Sequence, residues 1–211
     1  MTTDAIHSRA PPGAPAARDP IHPIWVRVAH WINVVAMAVM IGSGWEIYNA
    51  SPLFWFAFPP AITLGGWLAG ALLWHFAAMW VLAVNGLVYL VLGIATGRFR
   101  HMLVPLRAAD VLADAKRAFS GTLSHDDLSV YNAVQKLLYL GVLVAGVVMV
   151  LSGISIWKPV QLQELTRVFG GYDAARYVHF FAMAAIVGFL LVHVIMTLLV
   201  PKSLRAMIMG R

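Results

Sequence analysis

The sequence predicts an all-α integral membrane protein built as a bundle of four transmembrane helices. Of its 211 residues, 61% are hydrophobic and 11% are charged, and the mean hydropathy is +0.78. Ordinary soluble domains are far less apolar. Four apolar stretches are long enough to cross about 30 Å of hydrocarbon as helices. Histidines recur inside these stretches, where a polar ring is costly and usually marks function.

The four predicted helices span roughly 24–48, 64–95, 130–157 and 174–200. The first has the length of one crossing, whereas the second and third are long enough to be tilted or to extend beyond the bilayer. The fourth contains an uninterrupted apolar run over 177–200. Together the helices form one transmembrane domain, residues 21–211, and no large soluble domain remains.

The first twenty residues differ in composition from the rest of the chain. They contain four prolines, Arg9 and Arg18, and they have no apolar core. A cleavable signal peptide needs such a core, so this segment is predicted to be a disordered cytoplasmic tail. The chain also has no cysteine. This excludes disulfides, iron–sulfur clusters on this chain, thiolate-ligated haem and covalent haem attachment.

The basic residues predict the orientation of the bundle. Only three of the 15 Lys and Arg residues, Lys158, Arg167 and Arg176, fall on one side of the predicted membrane. Short loops rich in Lys and Arg stay in the cytoplasm. Both termini and the loop 96–129 are therefore predicted to be cytoplasmic, in a bacterial inner membrane. Topology and contact with anionic membrane lipid explain the net charge of +6, so no nucleic acid is expected as a partner.

Two histidines on the fourth helix carry most of the functional information. His179 and His193 lie fourteen residues apart. At 3.6 residues per turn, they return to within about 40° of one another and differ in depth by about 21 Å. Two imidazoles therefore share one face at opposite membrane depths. Histidine is a common axial ligand of haem iron, so the spacing suggests two stacked haems.

The other two intramembrane histidines match these depths. His30 lies about two turns into the first helix from the cytoplasmic side, at the level of His193. His75 lies in the periplasmic half of the second helix, at the level of His179. We therefore expect His30 and His193 to ligate one non-covalent b haem, and His75 and His179 a second. The alternative for any single histidine is an interhelical hydrogen bond or a place in a proton path.

Three further residues are candidates for haem contact. Gly44 lies fourteen residues beyond His30, and Gly86 lies eleven beyond His75, so each shares the azimuth of its histidine at the depth of the other haem. A missing side chain there would let a porphyrin approach, although small residues also simply pack membrane helices closely. Arg27, one turn before His30, is placed to pair with a haem propionate or to serve positive-inside topology.

Several of these residues stand in segments that resemble a known family. The segment HPIWVRVAHW at 22–31, WHF at 74–76, and the VHF and VHV that frame His179 and His193 resemble the bacterial cytochrome b561 and nickel-iron hydrogenase cytochrome b family. YNAVQK at 131–136 and IWKPVQL at 156–162 are similar to its thiosulfate reductase cytochrome b subunit branch. The resemblance implies a four-helix bundle with two b haems on His30, His75, His179 and His193. That branch is often found with molybdopterin oxidoreductases, while hydrogenase-type members often have an additional helix.

The expected function is electron transfer across the membrane. Two imidazoles per iron leave no open position for substrate, so each haem would carry one electron. The chain would be the electron-transfer subunit of a respiratory oxidoreductase complex, linking the quinone pool to a periplasmic partner, with loop 158–176 as the docking surface. One alternative is a free-standing superoxide-oxidising quinone reductase, which a cationic pocket around Lys158, Arg167 and Arg176 would favour. Another is a non-redox transporter or anchor. A homodimer is compatible with the exposed apolar helices.

Overall fold

A computed structural model describes residues 22–103 and 133–210 and, between them, residues 107, 109–110, 113–114 and 116. The predicted disordered tail lies outside the described residues. In chain order the helices are α1 (Ile24–Ala50), α2 (Leu68–Ala95), α3 (Arg98–Leu103), α4 (Ala133–Trp157), α5 (Gln163–Val168), α6 (Tyr172–Leu199) and α7 (Pro201–Met209). Four of them, α1, α2, α4 and α6, are long and apolar enough to cross a membrane. The predicted all-α, four-helix fold class is confirmed, and the protein is a multi-pass membrane protein.

The second helix begins at Leu68, so the predicted start near residue 64 is wrong by four residues. Gly65 and Gly66 have φ values of +117° and +71°, which a right-handed helix does not allow. A Cβ on Gly65 would lie 2.3 Å from the backbone nitrogen of Ala71, so only glycine fits there. The preceding Leu64 donates its N–H to the carbonyl of Gly42 on α1 at 3.0 Å. Residues 64–67 therefore belong to the connecting loop, which passes over α1 before α2 begins.

The four long helices associate as two antiparallel pairs. α1 packs along α2, and α4 packs along α6. Residues 51–67 and 158–171 connect the members of each pair at the same end of the bundle, here called the loop end. The opposite end, where α1 begins and α6 ends, is called the terminal end. The two pairs meet through side chains, such as Tyr48 with Phe180 at the loop end and His30 with His193 at the terminal end.

An intramembrane amide network fixes the first pair near His30. Asn85 of α2 donates from Nδ2 to the carbonyl of Ala29 at 2.8 Å and to Oδ1 of Asn33 at 2.7 Å. Hydrogen bonds of this kind hold membrane helices together where the hydrophobic effect contributes little. The contact sets the position of α2 against the part of α1 that carries His30.

The short helix α7 was not predicted, although the sequence contains its start and stop signals. Pro201 occupies the first helical turn, and Gly210, with φ +84°, follows the last residue. Proline at the start and glycine just past the end are typical of a helix. The backbone carbonyl of Ile208 accepts a hydrogen bond from Arg27 of α1 at 2.8 Å. This hydrogen bond holds α7 against the terminal end of the bundle.

Candidate functional site

The terminal-end histidine pair joins α1 to α6. The ring centroids of His30 and His193 are 6.2 Å apart, with an angle of 56° between the ring planes. The two rings are close enough that both could ligate the iron of one haem bound between α1 and α6. Nδ1 of His30 is buried and has no hydrogen-bond partner among the described residues.

Aromatic side chains hold both of these rings. The ring of Trp31 meets His30 edge-on at 5.3 Å, and Phe189 stacks on His193 at 5.7 Å with planes 13° apart. Such packing restricts the rotamers of both imidazoles. The pair is therefore positioned by its own helices.

The loop-end pair consists of His75 on α2 and His179 on α6. Both histidines lie near the loop end, in the first turns of their helices. Nδ1 of His75 lies 3.0 Å from the hydroxyl of Ser43, and Nδ1 of His179 lies 3.0 Å from the hydroxyl of Ser152. Both serines are fully buried. Each histidine is thus oriented by the neighbouring helix of its own pair.

The hydroxyl contacts decide which ring nitrogen carries the proton. Ser43 donates its one hydroxyl proton to the carbonyl of Val39 at 2.6 Å, and Ser152 donates to the carbonyl of Val148 at 2.7 Å. Each serine oxygen must then accept a hydrogen bond from the Nδ1–H of its histidine. The tautomer fixed in this way leaves Nε2 with a free lone pair, which is the state required for an axial metal ligand.

Glycines beside the same two histidines leave room around the rings. A Cβ on Gly44 would lie 3.4 Å from Cε1 of His75, and a Cβ on Gly153 would lie 3.0 Å from Cε1 of His179. A Cβ on Gly86 would meet nothing within 4 Å. Gly44 therefore lies directly beside His75, whereas Gly86 lies beside open space.

The two helix pairs build this environment in the same way. A serine followed by a glycine, 43–44 on α1 and 152–153 on α4, contacts a histidine on the partner helix in both cases. The sequence analysis found Gly44 but missed Ser43, Ser152 and Gly153. The recurrence of the Ser-Gly dipeptide in the first and third helices was the signal that could have found them.

Cationic side chains gather near His22 at the terminal end. Arg98 approaches Nδ1 of His22 at 3.2 Å. Burial, and then the Arg98 guanidinium, lowers the pKa of His22, so at neutral pH its ring is uncharged and can accept from Arg98. Nε of Arg27 and Nε of Arg98 are buried without a partner in the described part of the chain. Arg27 also lines an apolar cavity of about 690 Å³ between α1, α2 and α7.

A four-helix membrane bundle with histidines inside its apolar helices, two of them in contact across the bundle, is typical of a membrane cytochrome. Among the described residues no group of three or more His, Cys, Asp or Glu could hold a bare metal ion. An iron already held by a porphyrin needs only two more ligands, so a pair of histidines would be sufficient to hold it.

The chain belongs to the prokaryotic cytochrome b561 family, whose model matches residues 21–210. It is therefore a b-type haem protein of the membrane that transfers electrons. A protein of Azospira oryzae, named "Putative protein-methionine-sulfoxide reductase subunit YedZ1", is 55% identical over 190 residues. The match covers 90% of this chain and 96% of that protein.

Proposed function

We propose that this protein carries electrons between the quinone pool and a periplasmic oxidoreductase through two b haems. His30 and His193 would hold one haem, and His75 and His179 the other. The 6.2 Å separation of the first imidazole pair is the observation that carries this proposal. The matched Ser-Gly environments of the second pair support it.

The histidines, the buried serines and two arginines would have separate roles in this function. Bound b haem would supply a one-electron iron couple, and ligation by two imidazoles would leave no open position for oxygen or substrate. Ser43 and Ser152 keep the loop-end imidazoles in the tautomer that binds metal. Arg27 and Arg98, which lie near His22 at the terminal end, would supply positive charge for the propionate carboxylates of a haem bound there.

The charge distribution supports a cytoplasmic terminal end. The described terminal end carries Arg27, Arg98, Arg100, Lys202 and Arg205, and the loop end carries Lys158, Arg167 and Arg176. Counting the remaining Lys and Arg of the sequence gives twelve against three. The loop end would face the periplasm of a bacterial inner membrane, and both termini the cytoplasm.

The relative from Azospira oryzae supports a particular class of partner. Its name describes a subunit of a protein-methionine-sulfoxide reductase. We extend this to the present chain and infer a periplasmic subunit that reduces methionine sulfoxide to methionine, which consumes two electrons and two protons and releases water. One-electron carriers would deliver those electrons in two successive transfers. The resemblance to molybdopterin-linked cytochromes predicts the cofactor of that subunit.

The free-standing superoxide oxidase receives no support from the loop-end cations. Arg167 pairs with Glu164 at 2.7 Å, Lys158 lies over the Trp157 ring at 4.9 Å, and Arg176 donates to Ser51. Three cations with three separate partners do not make a common anion pocket. The non-redox alternative is set aside because the family is one of cytochromes.

The test of the proposed function is a spectroscopic titration of the purified protein in lipid nanodiscs. We expect about two b haems per chain by pyridine haemochrome, both reduced by a quinol analogue such as duroquinol. Adding a methionine sulfoxide reductase subunit from the same bacterium, with its sulfoxide substrate, should reoxidise them. A protein without haem after haem-sufficient expression would contradict the proposal, as would haems that quinol does not reduce.

A second prediction concerns the buried serines. Ser152→Ala removes the side-chain acceptor of the His179 Nδ1–H, which should lower the basicity of the imidazole and its preference for Fe(III). We expect the midpoint potential of one haem to rise by up to about 60 mV, the equivalent of a tenfold change for a one-electron couple. Ser43→Ala should raise the same potential.

Ser155→Ala is the matched control for the serine experiment. Ser155 is as fully buried as Ser152 and lies on the same helix, but it donates to Thr166 at 3.1 Å. Its replacement should leave both potentials unchanged in a potentiometric titration. Equal shifts in the Ser152 and Ser155 variants would show that the serine–histidine bond does not tune the site.

A further inference from the structure

The loop end presents one aromatic side chain almost completely to its surroundings. Trp55 is 97% exposed, the highest exposure of any large hydrophobic side chain among the described residues. It lies in residues 51–58, here called the Trp55 loop, between α1 and the 3-10 turn Pro60–Ile62. Exposure of one large apolar side chain has no meaning by itself. In this protein, however, hydrogen bonds hold the Trp55 loop in place, and an aromatic cluster packs against it.

Side chains from two helices hold the Trp55 loop in one conformation. Tyr48 donates its hydroxyl to the carbonyl of Phe56 at 3.0 Å. The Asn49 amide donates to the carbonyl of Phe58 and accepts from its N–H, both at 2.8 Å. From the other helix pair, Arg176 donates to the carbonyl of Ser51. Hydrogen bonds therefore hold the backbone both before and after Trp55, whose indole is exposed.

An aromatic cluster connects the Trp55 loop to the loop-end histidine pair. Phe56 contacts the Trp55 ring at 5.9 Å, and Phe58 stacks on Trp45 at 4.7 Å with planes 12° apart. Phe54 packs on Phe180 at 5.1 Å. Trp45 directly follows Gly44, which lies beside His75, and Phe180 directly follows His179. The Trp55 loop thus packs, through this cluster, on the parts of α1 and α6 that adjoin Gly44 and His179.

The length of α1 places the loop near or beyond the edge of the hydrocarbon. Its 27 residues extend about 40 Å at 1.5 Å per residue, against about 30 Å of hydrocarbon. Arg27 and Glu46, close to the two ends of α1, are charged residues that mark the two membrane boundaries. Trp55 lies beyond Glu46, in the connection that follows the last turn of α1.

We propose that the Trp55 loop is the docking surface for the soluble periplasmic oxidoreductase, with Trp55 inserted into an apolar pocket of that protein. This inference rests on the proposed function. Trp is among the residues that most often dominate binding at the centre of an interface. A partner seated here would bring its acceptor closest to the His75–His179 site. One electron would leave one centre and enter the other, with no bond made or broken.

The charges of the loop end favour an apolar anchor. The described loop end has three cations, Lys158, Arg167 and Arg176, and three carboxylates, Glu46, Glu164 and Asp173. A surface with balanced charge attracts neither an acidic nor a basic partner at long range. This changes the expectation for loop 158–176, whose charges were predicted to form the docking surface. Binding should therefore depend only weakly on salt.

Trp55→Ala tests the docking surface, with Trp67→Ala as its matched control. Trp67 is a second exposed indole of the same end, 67% exposed, and it also precedes α2. In nanodiscs, the haems are reduced with duroquinol, and their reoxidation by the sulfoxide reductase subunit and its substrate is followed. We expect Trp55→Ala to slow reoxidation at limiting partner at least about tenfold, and Trp67→Ala to leave it unchanged. Haem content and quinol reduction should be normal in both variants.

The outcomes separate this inference from the proposed function. Unchanged reoxidation in Trp55→Ala, or equal slowing in Trp67→Ala, would overturn the docking surface while leaving quinone-linked electron transfer intact. Failure of the unmodified protein to reduce the partner would instead overturn the proposed function, and the docking surface with it. A photoreactive benzoylphenylalanine at position 55 gives an independent measurement in intact cells. It should cross-link to a periplasmic oxidoreductase; cross-links to phospholipid alone would show that Trp55 is a membrane anchor.

Discussion

His179→Ala should lower the haem content from about two per chain to about one and leave the terminal-end haem in place. The reason is that, in the proposed arrangement, each iron would be held by both imidazoles of its pair, and the pairs lie at opposite ends of the bundle. His30 and His193, 6.2 Å apart, contribute nothing to the site at the loop end. The measurement is pyridine haemochrome quantification with a potentiometric titration, in which one of two components should disappear.

Companion variants make this result specific. His193→Ala should remove the other component, and His22→Ala should remove none, because His22 bonds to Arg98 outside the helix bundle. Added imidazole should restore part of the haem in His179→Ala, since a small ligand can enter the space left by the ring. If His179→Ala keeps both haems, or loses both while its thermal unfolding is unchanged, the pairing of histidines by level is wrong.

The histidine levels could be predicted from the sequence because they follow from helix geometry alone. The rise per residue fixes the depth of each histidine once a helix is known to cross the membrane. The same argument placed Gly44 correctly at the level of His75. Composition was sufficient for the fold class, because stretches of this length and apolarity have few other structures open to them in a bilayer.

The remaining features depend on contacts between helices, which no local pattern determines. In the sequence, Ser43 and Ser152 are ordinary small residues of apolar helices. Only the structure shows that each hydroxyl lies 3.0 Å from a histidine of the neighbouring helix. The start of α2 was predicted too early because hydropathy does not register backbone conformation at Gly65. Only the folded loop shows that Trp55 is the most exposed large hydrophobic side chain of the described residues.

Gly153→Ala should weaken retention of the loop-end haem about tenfold, whereas Gly44→Ala should change it by less than about threefold. The two glycines occupy equivalent places in the two helix pairs, so the comparison is internally matched. The difference is the space available: a Cβ would lie 3.0 Å from His179 at the first position and 3.4 Å from His75 at the second. The first contact is too short without movement of the ring, while the second is ordinary van der Waals contact.

The His179 ring has little freedom to move away, because its Nδ1 is held by the buried Ser152 hydroxyl. Alanine also favours helix over glycine by about 1 kcal/mol, but this applies equally to both positions and cancels in the comparison. Haem retention is measured by transfer to apomyoglobin, with loss of the loop-end component followed in the visible spectrum. Equal retention in the two variants would mean that the loop-end imidazoles are not held as closely as their serine and glycine neighbours indicate. A larger loss in Gly44→Ala would reverse the order that the two distances require.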